Sequence, residues 1–148
     1  KWDGKWRIVG FDIEESERSL RNVLRQSLKL LGFGMLQKSL YISPLPVEGE
    51  VEELLLSNRD RLDNTYIFVS DRFFLEKKEE LIDKVFHIKK LNDLYINILK
   101  KLRSEKSEKE HVLREFTGVS MEDPFLPREL LPESFVRERV WKELGWGK

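Results

Sequence analysis

The chain has no cysteine in its 148 residues, which excludes a disulfide scaffold, a thiolate zinc site and a cysteine nucleophile. It also has no net charge, with 27 Lys and Arg balancing 27 Asp and Glu. That balance argues against a general polyanion binder and leaves room for a local basic face. No apolar run approaches the roughly 18 residues needed to span a bilayer, and no secretory signal opens the chain. Its two histidines, His87 and His111, sit in no metal-ligand spacing. Neither a nucleophile-elbow serine motif nor a glycine-rich dinucleotide fingerprint is present, so serine-hydrolase, zinc-hydrolase and nucleotide-binding readings fall away. There is no internal repeat and no low-complexity tract.

What is present is a core beneath a charged surface: 40% of residues are hydrophobic and 36% charged. The length fits one domain, or one compact domain with a substantial extension. A soluble cytoplasmic protein is the plain expectation. The chain starts with Lys rather than Met, which reads as a fragment of something longer.

The organising stretch runs from Trp6 to Ser43. Trp6–Ile13 alternates as a strand, with Val9, Phe11 and Ile13 on one face and Trp6, Ile8, Gly10 and Asp12 on the other. Both faces are largely apolar, as in a central strand. Ser16 is placed to cap a helix that ends near Leu31, with Gly32 as its stop. Leu20, Val23, Leu24, Leu28 and Leu31 form its apolar stripe, and Arg18, Arg21, Arg25 and Lys29 a basic stripe on roughly the opposite face. Met35–Ser43 reads as one bent strand or two, closed by Pro44 and Pro46.

A helix over Glu48–Leu56, a polar turn and a clear strand at Thr65–Ser70 follow. Two strands within Met35–Ser43 complete a β-α-β-β-α-β order, the ferredoxin-like arrangement, with helices on one sheet face and the other face free. Beyond it come a short helix at Glu76–Asp83, a strand or lead-in at Lys84–Ile88, and a long helix from Lys89 to Arg103. A charged hinge spans Ser104–Glu110. Helical periodicity resumes at Val112 and is expected to stop at Gly118, and a short helix closes the chain after a Pro-rich and acidic segment. The fold class is therefore α+β: a ferredoxin-like core over residues 1–88 and a helical extension over 89–148.

Two sets of residues carry candidate chemistry. Asp12 closes the first strand, where a carboxylate can hold a divalent metal with the same residue of a second subunit. The commoner role for such an Asp is to accept hydrogen bonds from the start of the next helix. Arg18, Arg21, Arg25 and Lys29 have the spacing to follow a phosphate backbone, although a solvated helix face explains such stripes more often. No aromatic residues interleave with them, so stacking of single strands is not supported there.

The segment WDGKWRIVGFDI, followed by LRNVLRQSLKLLGFGMLQKSLYISP, resembles the central domain of the PaaX family, repressors of phenylacetic-acid degradation genes. That domain is in turn similar to the small CRISPR-adaptation nuclease. A second match, Asp123-Pro124-Phe125-Leu126-Pro127 with Leu130-Leu131-Pro132, resembles the DPLLP…LLP segment of the PaaX C-terminal region. The resemblance implies a homodimeric transcriptional regulator that meets DNA directly or through a winged helix ahead of Lys1. It implies no resident cofactor and no membrane contact. An acyl-CoA-type effector, the ligand typical of the name-giving members, is a candidate partner that the resemblance implies, but Glu133-Ser134-Phe135 departs from the expected Trp-Pro-Gly-like continuation, so it is not assumed. The alternative is a metal-dependent nuclease or scaffold subunit of CRISPR adaptation, in which Asp12 would hold Mg²⁺ or Mn²⁺.

Overall fold

A computed structural model describes residues 1–58, 62–72 and 77–146. They form two compact units: Lys1–Phe86 with Pro124–Leu130, and His87–Asp123 with Leu131–Lys148.

The first unit contains β1 (Trp6–Phe11), α1 (Arg18–Leu30), β2 (Gly34–Gln37), β3 (Leu40–Ser43), α2 (Glu48–Ser57), β4 (Thr65–Ser70) and α3 (Lys78–Phe86). The strands make one antiparallel sheet in the order β2-β3-β1-β4. Met35–Ser43 is thus two strands, with an irregularity between Met35 and Gln37, and the order is the split βαβ pattern expected of a ferredoxin-like fold. Val9 and Phe11 on β1 pack with Leu20, Leu24 and Leu28 of α1, Val51 of α2 and Tyr41 of β3. Arg7 shares this face by alternation, although it is charged and buried.

Burying a guanidinium costs several kcal/mol unless every donor finds an acceptor. Arg7 Nε donates to Glu48 Oε1 at 2.7 Å, Nη1 to Asp3 Oδ1 at 2.9 Å and to the Lys5 carbonyl at 3.1 Å, and Nη2 to Asp3 Oδ2 at 2.6 Å. One side chain therefore fastens the N-terminal lead-in and the start of α2 to the central strand. Its hydrogen bonds hold the Asp3 carboxyl at about 2, below the ordinary 3.8, and lower that of Glu48 as well.

The second sheet face, left free by α1 and α2, is partly covered by a third helix. α3 lies over β2, where a Cβ added at Gly34 would overlap Val85 Cγ1 and stand 2.9 Å from the Val85 carbonyl oxygen. A glycine is required there by close approach rather than by turn geometry. Ile42, beside Gly34 on this face, is fully buried, whereas Tyr66 and Phe68 on β4 are 57% and 56% exposed. The segment Pro124–Leu130 belongs to the same unit. Its short 3₁₀ turn at Arg128–Leu130 packs on α3, and Glu129 accepts from the Trp2 backbone at 3.3 Å.

The second unit contains α4 (Ile88–Leu102), α5 (Lys109–Glu122) and α6 (Arg137–Glu143), with α4 packed against both of the others. Tyr95 is its fully buried centre, with Phe116 and Phe135 at 6.3 and 5.9 Å between ring centroids.

Several local expectations are corrected. Ser16 does not cap α1: Glu15–Glu17 is a 3₁₀ turn, and the Ser16 hydroxyl donates to Glu14 at 3.3 Å. β1 stops at Phe11, two residues early. Lys84–Phe86 is helical because Val85 and Phe86 continue the buried stripe of Leu81 and Ile82. His87, in left-handed backbone at φ 53°, then stands at the N-cap of α4. Gly118 lies inside α5, with open space around its Cα, because the stripe Val112, Phe116 and Val119 carries the helix past it. Glu76, the expected start of α3, lies outside the described residues. Among the described residues no helix is long and apolar enough to cross a membrane.

Two outcomes are expected. Gly34→Ala lowers stability by about 1–3 kcal/mol through overpacking, read as a fall in the denaturant midpoint; an unchanged midpoint contradicts the close approach. Because the folded Asp3 carboxyl sits at about 2 instead of 3.8, its contribution is complete above the higher value and is lost as pH falls through the lower one. The stability gap between wild type and Asp3→Asn should therefore close over that interval in acid titrations, and a gap that persists below it refutes the assignment.

Candidate nucleic-acid and pairing surfaces

Advancing at ~100° per residue, α1 buries Leu20, Leu24 and Leu28 along one line. Arg18, Arg21, Arg25 and Lys29 then fall about 105° away. The basic stripe is thus on the flank of the helix, not opposite its core. The face turned fully to solvent carries Ser19, Asn22, Val23, Gln26 and Leu30. This explains why Val23, assigned to the apolar stripe by spacing, is exposed.

The flank position gives the stripe partners within the chain. Arg21 donates from both Nη atoms to the Glu15 carboxylate at 3.0 and 3.2 Å, and Arg25 donates to the Lys38 carbonyl at 3.0 Å. The Arg21 hydrogen bonds lower the Glu15 carboxyl from its ordinary value and raise the guanidinium of Arg21. Arg18 and Lys29 are exposed at the two ends. The helix therefore presents an ordered line of cations in which Arg21 is gripped at both Nη atoms by a carboxylate of its own chain.

Asp12 follows β1, exposed, with its backbone N–H donating to the Asn64 carbonyl at 2.9 Å. Among the described residues no group of three or more His, Asp or Glu side chains is placed to hold a metal. With no such group at Asp12 among the described residues, a divalent ion there would need further donors, as from a second copy.

The motif residues are resolved into two kinds of anchor. The chain leaves the second unit after Asp123, contributes Pro124–Leu130 to the first and returns at Leu131. Asp123 is a buried acceptor in the second unit. Its carboxylate takes the Tyr95 hydroxyl at 2.8 Å and Arg137 Nη1 at 3.0 Å on both oxygens. The Arg137 guanidinium also lies over the rings of Phe135 and Trp141, at 5.4 and 5.1 Å. Burial, and then the neighbouring Asp123, push the Tyr95 phenol well above its ordinary range. One carboxylate thus joins α4, the end of α5 and the start of α6. Leu126 and Leu130 are the buried apolar anchors in the first unit. Pro124, Pro127 and Leu131 are half-buried, and Pro132 is exposed.

Sequence reasoning missed Arg7 and Arg137, and it set Tyr95 on the apolar stripe of the long helix without its Asp123 partner. A charge at an inward position of an otherwise apolar strand was the available signal for Arg7. Tyr95 and Arg137 carry no local signal of that contact, because their partner is distant in the chain.

The chain matches the family model described as the PaaX protein central Cas2-like domain over residues 1–82. No curated protein matches it. A solved structure, the uncharacterized protein Rv0674 from Mycobacterium tuberculosis, superimposes with a TM-score of 0.74 at 17% identity. That match covers 97% of this chain and 58% of the other, so the chain spans little more than half of that protein's length.

Removing the buried carboxylate by Asp123→Ala should cost about 3–5 kcal/mol, because it strands the Arg137 charge, whereas Tyr95→Phe should cost about 1 kcal/mol. Equal, small losses in thermal or chemical unfolding would contradict the central place of Asp123.

Proposed function

From the premise that the chain belongs to the PaaX family, we propose that it is the self-pairing core of a DNA-binding transcriptional regulator, and that α1 lies against the phosphate backbone. The observation that carries this reading is the family match over residues 1–82, from β1 into α3, the part of the chain that also bears the basic stripe. Arg18, Arg25 and Lys29 are the contacts with phosphate. Arg21 joins them only by exchanging Glu15 for a phosphate oxygen, so Glu15 limits affinity. Asp12 is a structural residue in this reading, and no metal chemistry is asked of it. An acyl-CoA effector is left out of it, given the departure at Glu133-Ser134-Phe135.

Fluorescence anisotropy with a mixed-sequence duplex tests it. Double reversal, Arg18→Glu with Arg25→Glu, should weaken binding across sequences and flatten the salt dependence by about 0.9 for each phosphate left unneutralised. Glu15→Gln should strengthen binding by releasing Arg21. Unchanged affinity and slope in the double variant, with the fold intact by circular dichroism, would dismiss α1 as the DNA-facing element.

A further inference from the structure

β4 ends the sheet, and among the described residues no strand pairs with its outer side. Which of its backbone groups point outward can be worked out from two hydrogen bonds. Asp12 N–H donates to the Asn64 carbonyl, in register with the β1–β4 ladder, and Phe11 N–H donates to the Ser39 carbonyl on the other side of β1. In an antiparallel ladder, the N–H and C=O of one residue point to the same neighbour and alternate along the strand. Even-numbered residues of β4 therefore bond to β1, and Thr65, Ile67 and Val69 direct their N–H and C=O groups outward. The strand TYIFVS contains no charge and no proline, the usual guards of an exposed edge.

We propose that β4 pairs edge to edge with β4 of a second copy, antiparallel and centred on Ile67. This rests on the reading of the chain as a self-pairing core and names the surface that does it. Two independent constraints meet in this register. Thr65, Ile67 and Val69 stand opposite the partner's Val69, Ile67 and Thr65, so every outward group finds its complement, with about six hydrogen bonds across the two-fold axis. The intervening even residues then form the closer, non-hydrogen-bonded pairs. Tyr66 comes to stand opposite the partner's Phe68, and Phe68 opposite the partner's Tyr66. Both rings are already side by side on one sheet face, with centroids 6.5 Å apart, and aromatic cross-strand pairs favour association.

The strand's own side chains select a second copy as the occupant, since the exposed Tyr66 and Phe68 gain aromatic partners when the same strand stands opposite. Within the six residues no like charges meet. Just outside them Asp63 falls opposite the partner's Asp71, which confines pairing to β4 itself. The joined edges yield one eight-stranded sheet, from four strands in each copy. Two half-exposed aromatic rings per copy contribute on the order of 100 Å² each, so the strand pair falls below the ~1,200 Å² of a stable interface. The dimer is therefore weak and dependent on concentration.

The chain has no cysteine, which makes directed cross-linking clean. Tyr66→Cys and Phe68→Cys variants of the whole 148-residue chain, checked by circular dichroism, are oxidised alone and as an equal mixture, beside sedimentation equilibrium of the unmodified chain. The expected result is a concentration-dependent dimer, with cross-linking concentrated in the mixed sample, because only the 66-to-68 pair is opposed. A dimer that cross-links equally in all three samples, or in none, overturns the β4 interface and leaves self-pairing standing. A chain that stays monomeric at several hundred micromolar overturns both, and the edge would then be open to an unrelated extended segment.

Discussion

The hydrogen-bond alternation of β1 is the constraint on which the rest depends. As the second strand from one edge, it gives its odd-numbered N–H and C=O groups to β3 and its even-numbered ones to β4. Its side chains alternate in step, so Val9 and Phe11 face the helices while Ile8 and Gly10 face away. The two alternations together decide which β4 residues reach the core, which show their side chains on the second face, and which present bare backbone at the edge. A shift of one residue would exchange all three.

Two ionic clusters, one joining the buried Arg7 to partly exposed carboxylates and one buried throughout, secure what the strands arrange. Arg7 locks the lead-in and α2 to the helix-facing side of β1, and Asp123 locks α4, α5 and α6 to one another. Each is costly to break and specific in geometry, so each acts more as a determinant of which segments meet than as a source of net stability. The motif around Asp123 owes its spacing to this: Asp123 serves one unit and Leu126 and Leu130 the other, with prolines between them.

The sheet was legible in the sequence because period-2 alternation is local. β4 was found at its full length, and Trp6–Phe11 was overrun only at Asp12 and Ile13, where the alternation continues past the end of the strand although Asp12 still donates to Asn64. Helix ends were less legible. Gly118 and Lys84–Phe86 were misplaced because the burial of Phe116 and Val119 around the one, and of Val85 and Phe86 within the other, outweighs the local stop and strand signals. The basic residues of α1 were identified, but their placement on the flank and the pairing of Arg21 with Glu15 depend on a turn that no periodicity describes. The outward edge of β4 could not be read at all, since edge status is a property of strand order. An uncharged TYIFVS strand fits equally well in a sheet interior.

Hydrogen exchange along β4, measured as a function of protein concentration, tests the account most directly. The amides of Tyr66, Phe68 and Ser70, which point to β1, should be protected at every concentration. Those of Thr65, Ile67 and Val69 should exchange quickly in dilute solution and gain protection together as the chain is concentrated. Odd-numbered amides that exchange at one rate from dilute to concentrated solution, while the even-numbered ones stay protected, would contradict pairing through this edge.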